Sequence, residues 1–188
     1  MTGIFFLLSI AAFVTTELIL SRAVRGNKDD ASDRGTFWLV WLTWNFAILS
    51  NSVVFFLTPR EPELWPVNLL GAALCLGAAG LRLLSKRTLG RFYTMTVNIQ
   101  ADHRLIQEGP YRFVRHPLYA GFALFFLAWP LTQPSLAGLV LAELLGGLPV
   151  LVTILVRLRV EERALAGHFS DEWRLYARRT PRLIPWVY

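Results

Sequence analysis

Charge is scarce in this sequence: only 17% of its 188 residues are Asp, Glu, Lys or Arg, while 54% are apolar. Soluble domains carry about a quarter charged residues, so the deficit excludes an ordinary soluble chain and points to an integral membrane protein. Cysteine is almost missing. The single Cys75 excludes an intrachain disulfide and a cysteine-based zinc site, and inside its apolar run it reads as a small buried residue; no metal is expected. No basic stretch precedes the first apolar run, so residues 3–20 are expected to stay in the mature protein as a span rather than leave as a signal peptide. Nor does a strand precede the glycines of residues 71–80, which excludes a dinucleotide-binding loop there. The net charge of +6 raises nucleic acid as a partner, but the basic residues fall in blocks between apolar runs. That is the pattern of membrane topology, and a nucleic-acid partner is discounted.

What is present is a series of apolar runs of spanning length, about 20 residues each. Residues 3–20 carry one charge, Glu17, and residues 36–57 carry none; Trp38, Trp41 and Trp44 recur every third residue there, a stripe expected to pack against core or lipid. Residues 64–81 form a third run, whose Gly71, Ala72, Ala73, Gly77, Ala78, Ala79 and Gly80 would let a neighbouring helix approach closely. Residues 118–156 hold one charge, Glu143, over 39 residues, about twice what one crossing needs. The chain must turn back, and Pro130, Thr132, Gln133 and Pro134 supply the turn of a helical hairpin with a short first arm and a full second arm at 135–156. A polar tail follows, helical to about Arg179 and stopped by Pro181 and Pro185. The expectation is an all-α polytopic protein with about five transmembrane helices. With the amino terminus outside, every Lys and Arg except Arg60 falls on one face, which the positive-inside rule makes cytoplasmic. Segment 82–117 and the tail then meet on that face. Glu17, Asn45, Asn51 and Glu143 are polar groups at membrane depth, and such groups are candidates for function.

The densest polar chemistry lies in residues 109–121, GPYRFVRHPLYAG, directly before the hairpin. Arginines at a membrane surface commonly anchor, yet the ordered Arg115-His116-Pro117-Leu118-Tyr119-Ala120-Gly121 block after Gly109-Pro110-Tyr111-Arg112 exceeds what anchoring asks. Pro117 suits the first turn of the entering helix, where its missing N–H is no loss. In the tail, Arg157 and Glu161 are four apart and share a helix face, so they can address one ligand or simply pair.

Together with His103-Arg104-Leu105-Ile106, Glu161-Glu162, Tyr176 and the Arg182-Leu183-Ile184-Pro185 ending, this block resembles the isoprenylcysteine carboxyl methyltransferase and phospholipid methyltransferase superfamily of membrane enzymes. The match runs from about residue 89 to 185, roughly half the chain. One membrane domain (1–188) is expected, in which N-terminal spans (1–57) that carry no such resemblance precede a methyltransferase core (64–188), and the resemblance implies that its cofactor pocket comes from 89–121 and 157–185. It implies that S-adenosyl-L-methionine, leaving as S-adenosyl-L-homocysteine, is lined by His103, Arg104, Leu105, Ile106, Tyr111, His116, Pro117, Leu118, Tyr119 and Glu161. Arg157 then faces the methyl acceptor. The residue chemistry agrees: Glu161 can bind the ammonium, Arg112 or Arg115 the carboxylate, and Tyr111 or Tyr119 the sulfonium and adenine. Arg157, Arg115 and Glu162 are the expected catalytic residues, with a glutamate serving as base only if the acceptor is an amine. The acceptor is expected to be lipophilic, reaching the site from membrane lipid; oligomeric state is open. The family's Phe-Gly-x-x-Tyr element is altered to Phe169-Ser170-Asp171-Glu172-Trp173. A nicotinamide-dependent membrane reductase of sterol type shares Arg-His-Pro-x-Tyr-x-Gly but typically has Asn in place of Leu118. A non-catalytic membrane binding protein is the alternative from another class.

Overall fold

The computed structural model describes residues 2–21, 35–94 and 104–185, and every regular element among them is helical. Helices α1 (Thr2–Ser21), α2 (Thr36–Leu57) and α3 (Trp65–Leu89) each contain at least 20 residues, about 30 Å or more at 1.5 Å per residue. Helix α3 starts with a proline in its first turn, carries Lys86 and Arg87 in its last, and stops at Gly90, whose φ of +56° an L side chain resists. The hairpin follows as α4 (Pro117–Ala128), a 3-10 turn (Trp129–Thr132), α5 (Leu136–Ala142) and α6 (Leu148–Arg179). Ser135 caps α5 by accepting from the Gly138 amide at 3.0 Å.

Among the described residues four helices are long and apolar enough to cross a membrane, and the apolar helix Pro117–Thr132 is the shorter fifth. The protein is therefore an all-α polytopic integral membrane protein. The second arm departs from the uniform helix expected over 135–156: a π turn at Glu143–Gly147 joins α5 to α6. The cause is a close approach, since a Cβ on Gly146 would collide with the Asn51 amide of α2 and lie 3.3 Å from Ala47 Cβ. Asn51, at membrane depth, thus serves the packing of the hairpin. Gln133 Nε2 donates to its carbonyl at 3.0 Å, and Asn68 Nδ2 donates to the carbonyls of Leu131 and Gln133 at 2.8 and 2.9 Å.

Lipid offers no hydrophobic drive between helices, so shape and small residues must bring them together. Only one side of the α3 small-residue stripe does this. Gly71 lies so close to the hairpin turn that a Cβ would meet Leu131 Cβ at 2.7 Å, whereas Gly77 and Gly80 face open space. Interlocked rings fill the middle of the bundle, with Phe6 and Phe55 centroids 4.1 Å apart and Phe13 and Phe125 4.8 Å apart. Leu7, Leu42, Phe56 and Leu57 stand exposed on the outside, as a lipid-facing surface requires.

Candidate active site

The end of α1, the start of α2, the end of α3, the start of α4 and the emerging part of α6 all reach one end of the bundle, around a cavity of about 210 Å³. Phe37, Trp41 and Trp44 come from α2, Glu17 from α1 and Arg82 from α3; Tyr111, Arg115, His116, Leu118 and Tyr119 come from the motif, and Arg157, Glu161, Trp173 and Tyr176 from the tail helix. Tryptophan spacing on α2 suggested packing alone. Two of the three rings line the cavity, and Trp44 also packs on Phe13 at 5.1 Å.

The motif and the tail are tied by backbone. The amides of Arg115 and His116 donate to the carbonyls of Pro181 and Arg182 at 2.8 and 3.1 Å, and the Tyr176 hydroxyl donates to the Tyr111 carbonyl at 2.6 Å. These bonds explain why Pro181 follows the helix: the chain must leave it extended to pair with the motif. Side chains complete the join. The Tyr119 hydroxyl donates to Glu161 Oε2 at 2.6 Å and accepts from Arg157 Nε at 2.8 Å, while Arg157 Nη1 donates to Thr36 Oγ1 at 3.2 Å. Tyr119 therefore stands between the arginine and the glutamate whose spacing suggested a direct pair.

His116 is 3% exposed and lies between two carboxylates, with Nε2 3.3 Å from Glu162 and Nδ1 3.7 Å from Glu161. Burial by itself would lower its pKa, but the hydrogen bonds and charges of Glu161 and Glu162 outweigh it and raise the value above that of an ordinary histidine. Burial, reinforced by the charge of Glu161, holds the Tyr111 hydroxyl well above its usual range. Burial also pushes Tyr93 up to about 12 against the opposing charge of Arg82, so both phenols stay protonated near neutrality.

Of the residues expected to hold a cofactor, Leu105, Ile106, Tyr111, His116, Leu118, Tyr119 and Glu161 line the cavity, as do the expected catalytic residues Arg115 and Arg157. Pro117 is buried in the first turn of α4 beside them. Glu162 is not in the lining. Two arginines and a histidine claim its carboxylate, Arg115 at 3.1 Å, Arg182 at 2.8 Å and His116 at 3.3 Å, so it braces the site instead of facing it. Arg112 is also outside: it is exposed, lies over the Phe113 ring at 4.7 Å and lines a separate groove. Arg104 is exposed and away from the lining, and His103 lies outside the described residues.

Sequence reasoning missed Arg82, Tyr93 and Trp173. Arg82 pairs with Glu17 at membrane depth, its guanidinium 4.7 Å over the Phe122 ring, and its buried Nε has no hydrogen-bond partner. Gly121, the last residue of the motif, exists to admit it: a Cβ there would meet Arg82 Cγ at 2.6 Å and the Ala78 carbonyl at 2.9 Å. A signal for the pair was available, since opposite charges near the matching ends of two spans can meet. Trp173 occupies the tyrosine slot of the altered Phe-Gly-x-x-Tyr element and keeps an aromatic face on the cavity.

Comparison with known proteins adds a family. Residues 67–172 match the model of the family described as Phospholipid methyltransferase. The chain is 26% identical over 185 residues to a probable protein-S-isoprenylcysteine O-methyltransferase of Oryza sativa subsp. indica, covering 97% of this chain and 95% of the relative. It is 27% identical over 190 residues to protein-S-isoprenylcysteine O-methyltransferase B of Arabidopsis thaliana, covering 96% and 91%. It is 33% identical over 140 residues to methanethiol S-methyltransferase of Mycobacterium tuberculosis, covering 68% and 52%.

Proposed function

The chain belongs to the phospholipid methyltransferase family and is a membrane methyltransferase, and on that premise we propose that it takes its methyl group from S-adenosyl-L-methionine and passes it to a lipophilic acceptor from the bilayer. An isoprenylcysteine-type carboxylate is the acceptor chemistry that suits it best. The observation that supports this reading is the meeting of the motif and the tail on one cavity, with a carboxylate, cations and aromatic faces in it. That donor set suits a zwitterion carrying a sulfonium. Glu161, whose side chain is 28% exposed, has room for the ammonium; Arg115 is placed to take the carboxylate; Tyr111, Trp173 and Tyr119 offer aromatic faces. When bound, S-adenosyl-L-methionine supplies an already activated methyl group and leaves as S-adenosyl-L-homocysteine.

The chain's own residues have positioning and desolvation as their work, because displacement on an activated carbon needs little else. Glu162 fixes Arg115 and His116; Tyr119 fixes Glu161 and Arg157 relative to each other. Arg157, 4% exposed, offers a cation to an anionic acceptor, and a carboxylate acceptor requires no base. Phe37, Trp41 and Trp44 give the acceptor side an apolar wall facing the bilayer, so residues 1–57 work with the core as one membrane domain. The gathering of basic residues at this end orients the site toward the cytoplasm with the amino terminus outside.

The test is to incubate purified protein with methyl-labelled donor and membrane lipid extract, with a prenylcysteine carboxylate analogue and methanethiol in parallel, and to identify the labelled product by mass. A labelled ester on the prenylcysteine analogue or on an extracted lipid is the expected result. Label on methanethiol alone would overturn the lipophilic acceptor, and no transfer to any acceptor would overturn the whole reading.

A further inference from the structure

A second groove, open and sharing Arg115 with the cavity, lies where the motif pairs with the tail. Arg112, Arg115, Arg178, Arg179 and Arg182 line it, and no carboxylate does among the described residues. Two of these guanidiniums are fixed from behind, since Glu162 holds Arg115 at 3.1 Å and Arg182 at 2.8 Å. The other three are exposed arms. Complementing the carboxyl end of α6 accounts for Arg178 and Arg179, but not for Arg112, which comes from a different segment. Phe113, in the groove wall, is 53% exposed, and Ile184, the chain neighbour of Pro185 in that wall, is 55% exposed. Both are large apolar side chains, and Phe113 stands four residues before α4 enters the apolar layer.

We infer that this groove binds the headgroup phosphate of an anionic phospholipid, with Arg112, Arg178 and Arg179 closing on the phosphate and Phe113 and Ile184 resting among the acyl chains. Planar guanidiniums are matched to phosphate oxygens in a way that a bare positive potential is not. The pairing of cation cluster and apolar side chains selects a lipid over a free anion, because a soluble phosphate gains nothing from Phe113. Arg112, Arg178 and Arg179 line the groove and not the cavity, so the fate of this site and that of the proposed reaction are read separately.

The experiment titrates detergent-solubilised protein with short-chain phosphatidylglycerol, short-chain phosphatidylcholine and sodium phosphate, reading bound lipid by native mass spectrometry and melting temperature in parallel. Phosphatidylglycerol should bind and stabilise, and phosphatidylcholine should not. Arg178→Ala with Arg179→Ala should weaken phosphatidylglycerol binding about tenfold or more, from the usual contribution of each arginine at an anionic surface. Arg178→Lys with Arg179→Lys should recover only part of the binding, since lysine keeps the charge without the planar fork, and a cooperative melting transition of the lipid-free alanine variant shows that it is folded. Equal binding of the two lipids, or an alanine variant that binds like the parent, overturns the site. Stabilisation by sodium phosphate equal to that by phosphatidylglycerol overturns the lipid assignment.

Discussion

Ser170 holds a backbone conformation, φ 48° and ψ −110°, that glycine adopts freely and an L side chain does not. Such positions cost about 1–3 kcal/mol, so Ser170→Gly should raise stability by about 1 kcal/mol once the extra freedom of glycine in the unfolded chain is allowed for. A melting temperature unchanged or lowered by Ser170→Gly would mean that the kink in α6 is not strained. The sequence pointed to this spot, since the family's glycine is the residue replaced there, but only backbone angles show that the kink survives the replacement. His116 carries the second residue-scale prediction. Its pKa is raised in the folded protein by Glu161 and Glu162, so the stabilisation it brings is complete below the ordinary histidine value near about 6.5 and is lost as pH rises through the higher folded value. The melting-temperature difference between the parent and His116→Gln should be largest near pH 6 and shrink toward alkaline pH. A difference that grows with pH would contradict the charged pairing. The meeting of His116, Tyr119 and Glu161 on one cavity was legible in their motifs. The places of Glu162 and Arg112 outside its lining were not, because neighbours one residue apart point to different surroundings.

At the cavity end, helices α1, α3 and α4 meet at the buried Arg82–Glu17 pair and at Gly121. Removing half of a buried pair leaves the other charge stranded, which costs about 3–5 kcal/mol, while replacing both with apolar residues of similar size is often neutral. Arg82→Met should therefore destabilise strongly, and adding Glu17→Leu should restore much of the loss, measured by thermal unfolding in detergent. If the double variant is no more stable than the single, the pair does not act as a unit. Gly121→Ala should cost about 1–3 kcal/mol by overpacking against Arg82 and Ala78. Gly77→Ala, facing open space on the same α3, should be harmless. At this scale hydropathy and length were enough to read the spans and the hairpin, because a 39-residue apolar run cannot cross once. The π turn was hidden, since it follows from the Asn51 amide pressing on Gly146, a contact 95 positions apart that no local pattern records.

For the molecule as a whole, two segments separated by the hairpin in sequence close over one cavity at the end of the bundle where the basic residues gather. The hairpin makes this possible by returning the chain to the side from which it entered. Sequence carried the convergence as an expectation from charge counting and motif order, and Glu17 of α1 only as a polar group at membrane depth; it did not carry the share taken by α2, whose Trp41 and Trp44 lie outside the recognisable motifs. The most direct measurement is the affinity of purified protein for S-adenosyl-L-homocysteine, by calorimetry or thermal shift, for the parent and Glu161→Gln, with NADPH as the comparison. The account predicts binding of S-adenosyl-L-homocysteine by the parent, a loss of about tenfold or more in Glu161→Gln from the missing charge-assisted bond, and no response to NADPH. Unchanged affinity in Glu161→Gln, or stabilisation by NADPH alone, would contradict it.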